Sequence, residues 1–175
     1  MNVNDEHKTI TDALDTYRSW LDEIPDEQFG QTPPMGGWSY AEVYSHIMQA
    51  SLGSSVAAEK CCRKTGVITN KGLNLKGMFV FLIGSLPPGK RQAPPAIAAL
   101  TKKIDKEEAR NLIVRLRKRV EELAALMHNG INKDNKISHP SLGMLNGPQW
   151  LKFIRIHLQH HIKQLNRIKK SFPQR

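Results

Sequence analysis

The sequence predicts an all-α protein that folds as a four-helix bundle. Apolar residues recur at three- and four-residue steps in four separate stretches, each of a length typical of bundle helices. Capping residues or clusters of proline and glycine mark the ends of these stretches. No stretch shows a convincing strand pattern or an internal repeat. At 175 residues, the chain is expected to form a single domain over residues 1–175.

The first helix is predicted over about residues 5–23, where apolar residues follow a helical period and Pro25 comes after the end. The following linker, residues 26–38, contains Pro33-Pro34 and Gly36-Gly37. Such a cluster disfavours both helix and strand, so the linker separates the first two helices.

The second helix is predicted to begin at a capping box formed by Ser39 and Glu42, and Gly66 is a candidate for its C-cap. Its inward side is predicted to carry Val43, His46, Ile47, Ala50, Ser54, Ala57 and Cys61. Most of these side chains are small, which allows a neighbouring helix to approach closely. His46 is the only histidine on this side.

Residues 67–104 interrupt the helical pattern. A short apolar helix is expected over about residues 75–84, and the prolines and glycine at 87–89 and the prolines at 94–95 follow it. So long an insert predicts a crossover connection between the second and third helices in place of a tight turn. The insert could also form a lid or a partner surface, and the sequence leaves these alternatives open.

The third helix is predicted to begin at Asp105 and to end before Gly130. After a loop over residues 131–145, Asn146 and Gln149 are expected to cap a fourth helix that extends to about Lys170. One side of the fourth helix carries Trp150, Phe153, Ile154, His157, His161, Gln164, Leu165 and Ile168.

Three histidines form a candidate metal site. His157 and His161 lie one turn apart within an apolar stripe, where buried imidazoles need polar partners, although satisfied core histidines would show the same spacing. His46 on the second helix could join them at one point and complete an open three-histidine site. His160 lies about 80° from the midpoint of the pair and is predicted not to be a ligand. Gln164, on the same side, could contact a bound ligand or simply pack.

The charge and the cysteines limit the compartment and the partners. The formal net charge is +10, but the basic residues are dispersed and accompany no nucleic-acid motif, so a solvated basic face is expected without specific nucleic-acid binding. The most apolar piece, residues 78–86, is far shorter than a membrane span of about 20 residues. The adjacent Cys61 and Cys62 are expected to be free thiols, and neither has the setting of a nucleophile. With no signal peptide visible, a cytoplasmic protein is expected.

Two segments resemble the DinB/YfiT-like superfamily. GWSYAEVYSHIMQAS, residues 37–51, is similar to the second-helix motif of that superfamily, with His46 at the metal position. HPSLGMLNGPQWLKFIRIHLQHHIKQL, residues 139–165, is similar to its HP-x-x-G-x-L loop followed by a W…H-x-x-x-H-H-x-x-Q helix. The sequence departs from the pattern at Leu142, where an aromatic residue is usual, and at residues 146–148, where Thr-x-Glu is common.

The resemblance implies a bundle in up-down-down-up order, commonly assembled as a homodimer. It also implies a divalent transition metal, zinc or nickel before others, at His46, His157 and His161. A small-molecule substrate and a low-molecular-weight thiol are further expectations. The implied function is a metal-dependent enzyme, either a thiol-dependent S-transferase or a hydrolase-like enzyme. The first alternative is a non-catalytic metal-binding stress-response protein. The second is a nucleic-acid-associated protein, which only the charge and the family's damage-inducible name favour.

Overall fold

The computed structural model confirms the predicted four-helix bundle, and it describes residues 2–87, 101–128, 130 and 132–173. The bundle consists of α1 (Val3–Glu23), α3 (Tyr40–Cys62), α5 (Lys106–His128) and α6 (Gly147–Ser171). Two shorter helices are α2 (Asp26–Phe29) and α4 (Leu75–Ile83). The sequence predicted α4 but not α2, which forms within the first linker. The apolar sides of the bundle helices meet in one hydrophobic cluster.

Ion pairs show that α1 and α6 run in the same direction. Near the start of α1, the carboxylate of Glu6 accepts a hydrogen bond from Arg155 at 2.6 Å. At the end of α1, Glu23 lies 3.0 Å from Lys169, which is about four turns further along α6 than Arg155. The two helices therefore lie side by side and parallel.

The other two bundle helices run in the opposite direction. Arg110, in the first turns of α5, pairs at 2.8 Å with Asp22 at the end of α1. Tyr40, the first residue of α3, stacks on Phe172 just beyond the end of α6, with ring centroids 5.9 Å apart. Both α3 and α5 are thus antiparallel to α1 and α6, which confirms the up-down-down-up order.

The connection between α3 and α5 is described in part. Its short helix α4 ends at Gly84, whose φ of 71° is left-handed, as expected for a glycine after a helix. Residues 88–100, which contain most of the predicted proline-rich crossover, lie outside the described residues. The path of that crossover therefore stays a prediction.

Three short strands show that the expectation of no strand is wrong. β1 (Val67–Ile68), β2 (Asn135–His139) and β3 (Gly143–Asn146) form an antiparallel sheet in this order. Segments of two to five residues are too short to show an alternating pattern, and β1 pairs with residues far along the chain, such as Val67 with Lys136. The β2–β3 hairpin leads directly into α6, so it positions the start of the helix that carries His157 and His161.

The predicted C-cap at Gly66 is also wrong. Helix α3 ends at Cys62, and Lys64 adopts a left-handed φ of 58° that turns the chain before Gly66 is reached. Gly66 instead packs against β2, where an added Cβ would meet Asn135 Oδ1 at 2.5 Å. Lack of space, and not helix termination, therefore favours glycine at this position.

The helix starts agree with the sequence. Ser39 and Glu42 form both hydrogen bonds of a capping box, and so do Asn146 and Gln149. At the third bundle helix, the side chain of Asp105 accepts a hydrogen bond from the backbone of Glu108 at 2.7 Å. These caps fix where α3 and α6 begin, and hence which residues face the core one to four turns later.

Both cysteines are free, and the environment of each disfavours the thiolate. Cys61 is fully buried, its Sγ lies 3.6 Å from the carbonyl oxygen of Leu145, and burial raises the pKa of its thiol to about 11. Burial also raises the pKa of the Cys62 thiol. Both groups are therefore protonated at neutral pH, as expected for packing residues. Within the described ranges, no helix is both long and apolar enough to cross a membrane.

Candidate metal centre

His46, His157 and His161 meet inside the bundle, between the antiparallel helices α3 and α6. One ring nitrogen from each residue lies within 4.8 Å of the other two. The ring centroids are 4.7 Å apart for His157 and His161, 5.0 Å for His46 and His161, and 5.4 Å for His46 and His157. The arrangement brings together the three residues that the sequence predicted as metal ligands.

Gln164 sets the protonation of His161. Its Oε1 lies 2.7 Å from Nδ1 of His161, and an amide oxygen can only accept, so Nδ1 carries the ring proton. In the neutral ring, Nε2 of His161 therefore presents a lone pair, and it faces Nε2 of His157 at 3.0 Å. The sequence left open whether Gln164 contacts a bound ligand or simply packs, and the structure places it in hydrogen-bond contact with a histidine of the cluster. Such a contact is typical of residues that orient metal-binding imidazoles.

The surroundings of the His157 ring show whether a cation fits among the three histidines. Its Nδ1 is buried and has no hydrogen-bond partner within the described part of the chain. If Nε2 of His157 donates to His161, Nδ1 becomes an unpaired acceptor; if Nδ1 keeps the proton, two lone pairs face each other. A cation between the two Nε2 atoms removes the second conflict, since both lone pairs then bind it. The donor set, three imidazoles, is one that divalent transition metals accept.

Burial keeps these imidazoles neutral. It lowers the pKa of His46 to about 4 and that of His161 to about 3, and it holds the pKa of His157 well below its usual range. Neighbouring histidines contribute to each shift in the same direction, because two positive rings repel each other. Only neutral imidazole binds a metal. Because their pKa values are lowered, these three rings stay able to bind a cation over most of the acidic pH range.

The first prediction concerns the pH dependence of the metal-free protein. His46 is protonated near pH 6.5 when unfolded but only near pH 4 when folded, so the unfolded state binds more protons between these values. The free energy of unfolding is therefore expected to decrease as pH falls from about 6.5 to about 4, by on the order of 3 kcal/mol for this ring. Urea unfolding of chelator-treated protein across this range measures it. A His46→Asn variant should show a shallower decrease, and an equal slope would contradict the assignment.

Aromatic rings surround the three histidines. The rings of Trp38 and His46 lie 5.0 Å apart, and Phe153 stacks on His157 with centroids 5.3 Å apart and an interplanar angle of 25°. His139 packs against Phe153 at 4.5 Å. The sequence did not predict that Phe153 or His139 would contact the site. The spacing of Phe153, four residues before His157 on the same side of α6, was the available signal.

His160 lies beside the cluster but outside it. Its ring is 5.1 Å from that of His161, centroid to centroid, and it is not among the three residues whose nitrogens converge. Burial lowers the pKa of His160, and the charges of Arg167 and Lys163 lower it further. The ring of His160 therefore faces a basic environment.

Comparison with known proteins identifies the family. The DinB superfamily matches the sequence over residues 9–165, a span that includes all three histidines. The chain belongs to the DinB superfamily. No curated protein matches it.

Two solved structures share the DinB-superfamily fold of this chain. TT2238, a four-helix bundle protein, has a TM-score of 0.63 at 17% identity, over 95% of this chain and 99% of the other. YfiT from Bacillus subtilis has a TM-score of 0.64 at 13% identity, over 96% of this chain and 86% of the other. YfiT is described as a probable metal-dependent hydrolase with an unusual four-helix bundle topology. At these identities, the similarity shows the fold alone.

Proposed function

We propose that this protein is a metal-dependent enzyme in which His46, His157 and His161 hold one divalent transition-metal ion. The observation that carries the proposal is the convergence of three neutral imidazoles within 4.8 Å, with one of them oriented by Gln164. The description of YfiT as a probable metal-dependent hydrolase supports the same reading. Imidazole suits zinc, nickel, iron and copper alike, and of these we propose zinc or nickel.

The ligand set leaves room for a further ligand. Within the described residues, no carboxylate or thiol joins the three histidines. Three protein ligands without a fourth are typical of catalytic sites, where water or substrate takes the remaining position. A metal bound there would polarise a substrate and lower the pKa of a nucleophile.

The chain's own residues supply orientation and exclusion of water. Gln164 keeps the proton of His161 on Nδ1, so that Nε2 stays available. Trp38 and Phe153 cover the rings of His46 and His157 and limit their movement. Since both cysteines have raised thiol pKa values, the chain itself offers no ready thiolate. We therefore propose that the nucleophile is external, either a low-molecular-weight thiol in an S-transferase reaction or water in a hydrolase-like reaction on a small molecule.

Thiol binding to cobalt-loaded protein tests this proposal. A thiolate that enters the open position should produce a sulfur-to-metal charge-transfer band when a low-molecular-weight thiol is added. The band should be absent in His157→Ala and present in His160→Ala, which serves as the matched control on the same helix. If neither thiol nor any small anion changes the cobalt spectrum, the site is closed and the enzymatic proposal is wrong.

A non-catalytic metal-binding stress-response protein is the second candidate. The observation that favours it is burial, since His161 is 6% exposed and His46 is 9% exposed. A metal that binds tightly but accepts no added ligand in the cobalt titration would support this alternative.

We also propose a homodimer. Helix α4 leaves an apolar surface exposed, which consists of Leu75, Met78, Phe79, Leu82 and Ile83. Contiguous apolar surface of this kind is typical of protein interfaces, and a second copy of the chain would cover it symmetrically. Sedimentation velocity should show a species of twice the chain mass that Leu82→Glu dissociates. A one-chain species in both proteins would contradict the proposal.

A further inference from the structure

A cavity lined by His160 lies beside the metal centre, between the C-terminal end of α4 and α6. Its volume is about 590 Å³, which is within the range of small-molecule sites. Residues 84–86 form one wall, and Gln159, His160, Lys163 and Arg167 of α6 contribute to the other. These four positions recur at three- and four-residue steps, so their side chains share one side of the helix.

The polar side chains of this cavity are mainly hydrogen-bond donors. Lys163 and Arg167 are both exposed at its rim, and none of the described residues that line it carries a carboxylate. Within the described residues, neither cation forms an ion pair or a hydrogen bond. By contrast, two other cations of α6 do form ion pairs. Arg155 pairs with Glu6 of α1, and Lys169 pairs with Glu23 of α1. The described part of the chain therefore leaves two cations of this cavity without a counter-charge.

Gln159 adds a neutral donor with a fixed orientation. Its Oε1 accepts a hydrogen bond from Arg155 at 2.9 Å, which leaves its Nε2 hydrogens available. Arg155 is itself held at 2.6 Å by Glu6, and the two charged side chains are only 17% and 11% exposed. This buried pair fixes the orientation of the Gln159 amide. Gln159 therefore presents its two Nε2 hydrogens as donors, and its remaining acceptor is the second lone pair of Oε1.

The walls of the cavity are held in place by a direct contact between the two helices. Lys152 of α6 donates a hydrogen bond to the carbonyl oxygen of Phe81 at 3.0 Å, and its ammonium lies 5.6 Å from the centroid of the Phe81 ring. The contact attaches the last turn of α4 to α6, next to the point where Gly84 turns the chain. The cavity is therefore formed before any ligand binds.

We infer that this cavity binds an oxyanion group, a carboxylate or a phosphate, of a small molecule. Lys163 and Arg167 would supply the charge, and Gln159 would supply a neutral hydrogen bond, a combination that matches an acceptor-only ligand. His160 joins the cavity to the metal centre, since its ring lies 5.1 Å from that of His161. The anionic end of a substrate or thiol would thus lie beside the metal. That last step rests on the proposed function, whereas binding of the anion does not.

Nuclear magnetic resonance titrations of the full, metal-free chain with inorganic phosphate and, separately, with succinate test the inference. We expect Lys163→Gln/Arg167→Gln to weaken binding at least tenfold. The matched control is Arg115→Gln/Lys118→Gln, which removes the same charge from exposed positions of α5. It should change binding less than twofold. Equal weakening by the two double variants would show non-specific attraction to a basic protein and overturn the inference. So would a double variant that binds like the unmodified chain, or binding of neither probe in the millimolar range.

The same titration in His157→Ala separates this inference from the proposed function. Phosphate or succinate binding should persist, because the three cavity donors do not depend on the metal centre. If the unmodified chain binds the anion but takes up no metal, the proposed function alone is wrong. If anion binding requires His157, the anion occupies the metal centre and the cavity inference is wrong. Stronger binding of succinate than of phosphate would assign the site to carboxylates, and the reverse order would assign it to phosphates.

Discussion

Replacing His157 or His161 with alanine is expected to abolish stable metal binding. Each change removes one of three converging nitrogens, and a divalent ion held by two imidazoles has lost a third of its protein ligands. His46→Ala should weaken binding severely as well, because α3 contributes no other ligand to the described cluster. Gln164→Leu should reduce affinity by about 10- to 100-fold, the usual effect of removing a residue that orients a ligand. Competition with a chelating dye measures each affinity.

His160→Ala is the matched control, since it removes an imidazole from the same turn of α6. Its ring lies outside the converging set, so metal affinity should stay within a few-fold of the unmodified protein. Loss of metal in His160→Ala together with retention in His157→Ala would show that the assignment of ligands on α6 is wrong.

The largest expected effect on stability comes from Gly143→Ala. Gly143 begins β3 with a φ of 95°, and an added Cβ would lie 2.6 Å from the carbonyl oxygen of Gly72 and 2.7 Å from the backbone nitrogen of Asn74. Both neighbours are backbone atoms and cannot move aside like a flexible side chain. We expect the free energy of unfolding to fall by more than about 2 kcal/mol, as measured by urea unfolding.

Gly53→Ala is the control for this prediction. Gly53 lies within α3, and a Cβ there meets no atom within 4 Å. Alanine is favoured over glycine inside a helix by up to about 1 kcal/mol, so this variant should be slightly more stable than the unmodified protein. If Gly143→Ala unfolds at the same urea concentration as Gly53→Ala, the hairpin is not packed as described.

The bundle could be predicted from the sequence because its helices and caps depend on local patterns. Ser39 with Glu42 and Asn146 with Gln149 are three residues apart, and their side-chain bonds to the backbone form wherever a helix starts. The helical period then places His46, His157 and His161 on the inward sides of two helices. Adjacent antiparallel helices bring those sides together, as the structure shows.

The strands could not be predicted because their pairing is not local. Val67 pairs with Lys136, and the turn of the hairpin depends on contact between Gly143 and residues 72–74. The end of α3 depends on the left-handed backbone of Lys64, which has no glycine signal. Neither the long-range strand pairing nor the left-handed backbone of Lys64 can be inferred from local sequence patterns.

Helical spacing predicts which residues of the site lie close together, but not which of their atoms are in contact. Spacing placed Gln164 near the histidines, but only the structure shows that its oxygen meets Nδ1 of His161. The cavity formed with α4 was missed for a similar reason. Spacing alone places Lys163 and Arg167 on a solvated face, whereas the structure places residues 84–86, which follow α4, across a cavity from them.

Elemental analysis shows whether these three histidines hold a metal ion. The protein would be purified without chelator or affinity metal, and a second sample would be equilibrated with zinc and nickel and then desalted. We expect about one divalent transition-metal ion per chain, as for a three-histidine site, and its loss in His157→Ala. Fewer than about 0.1 ions per chain in both samples of the unmodified protein would contradict it.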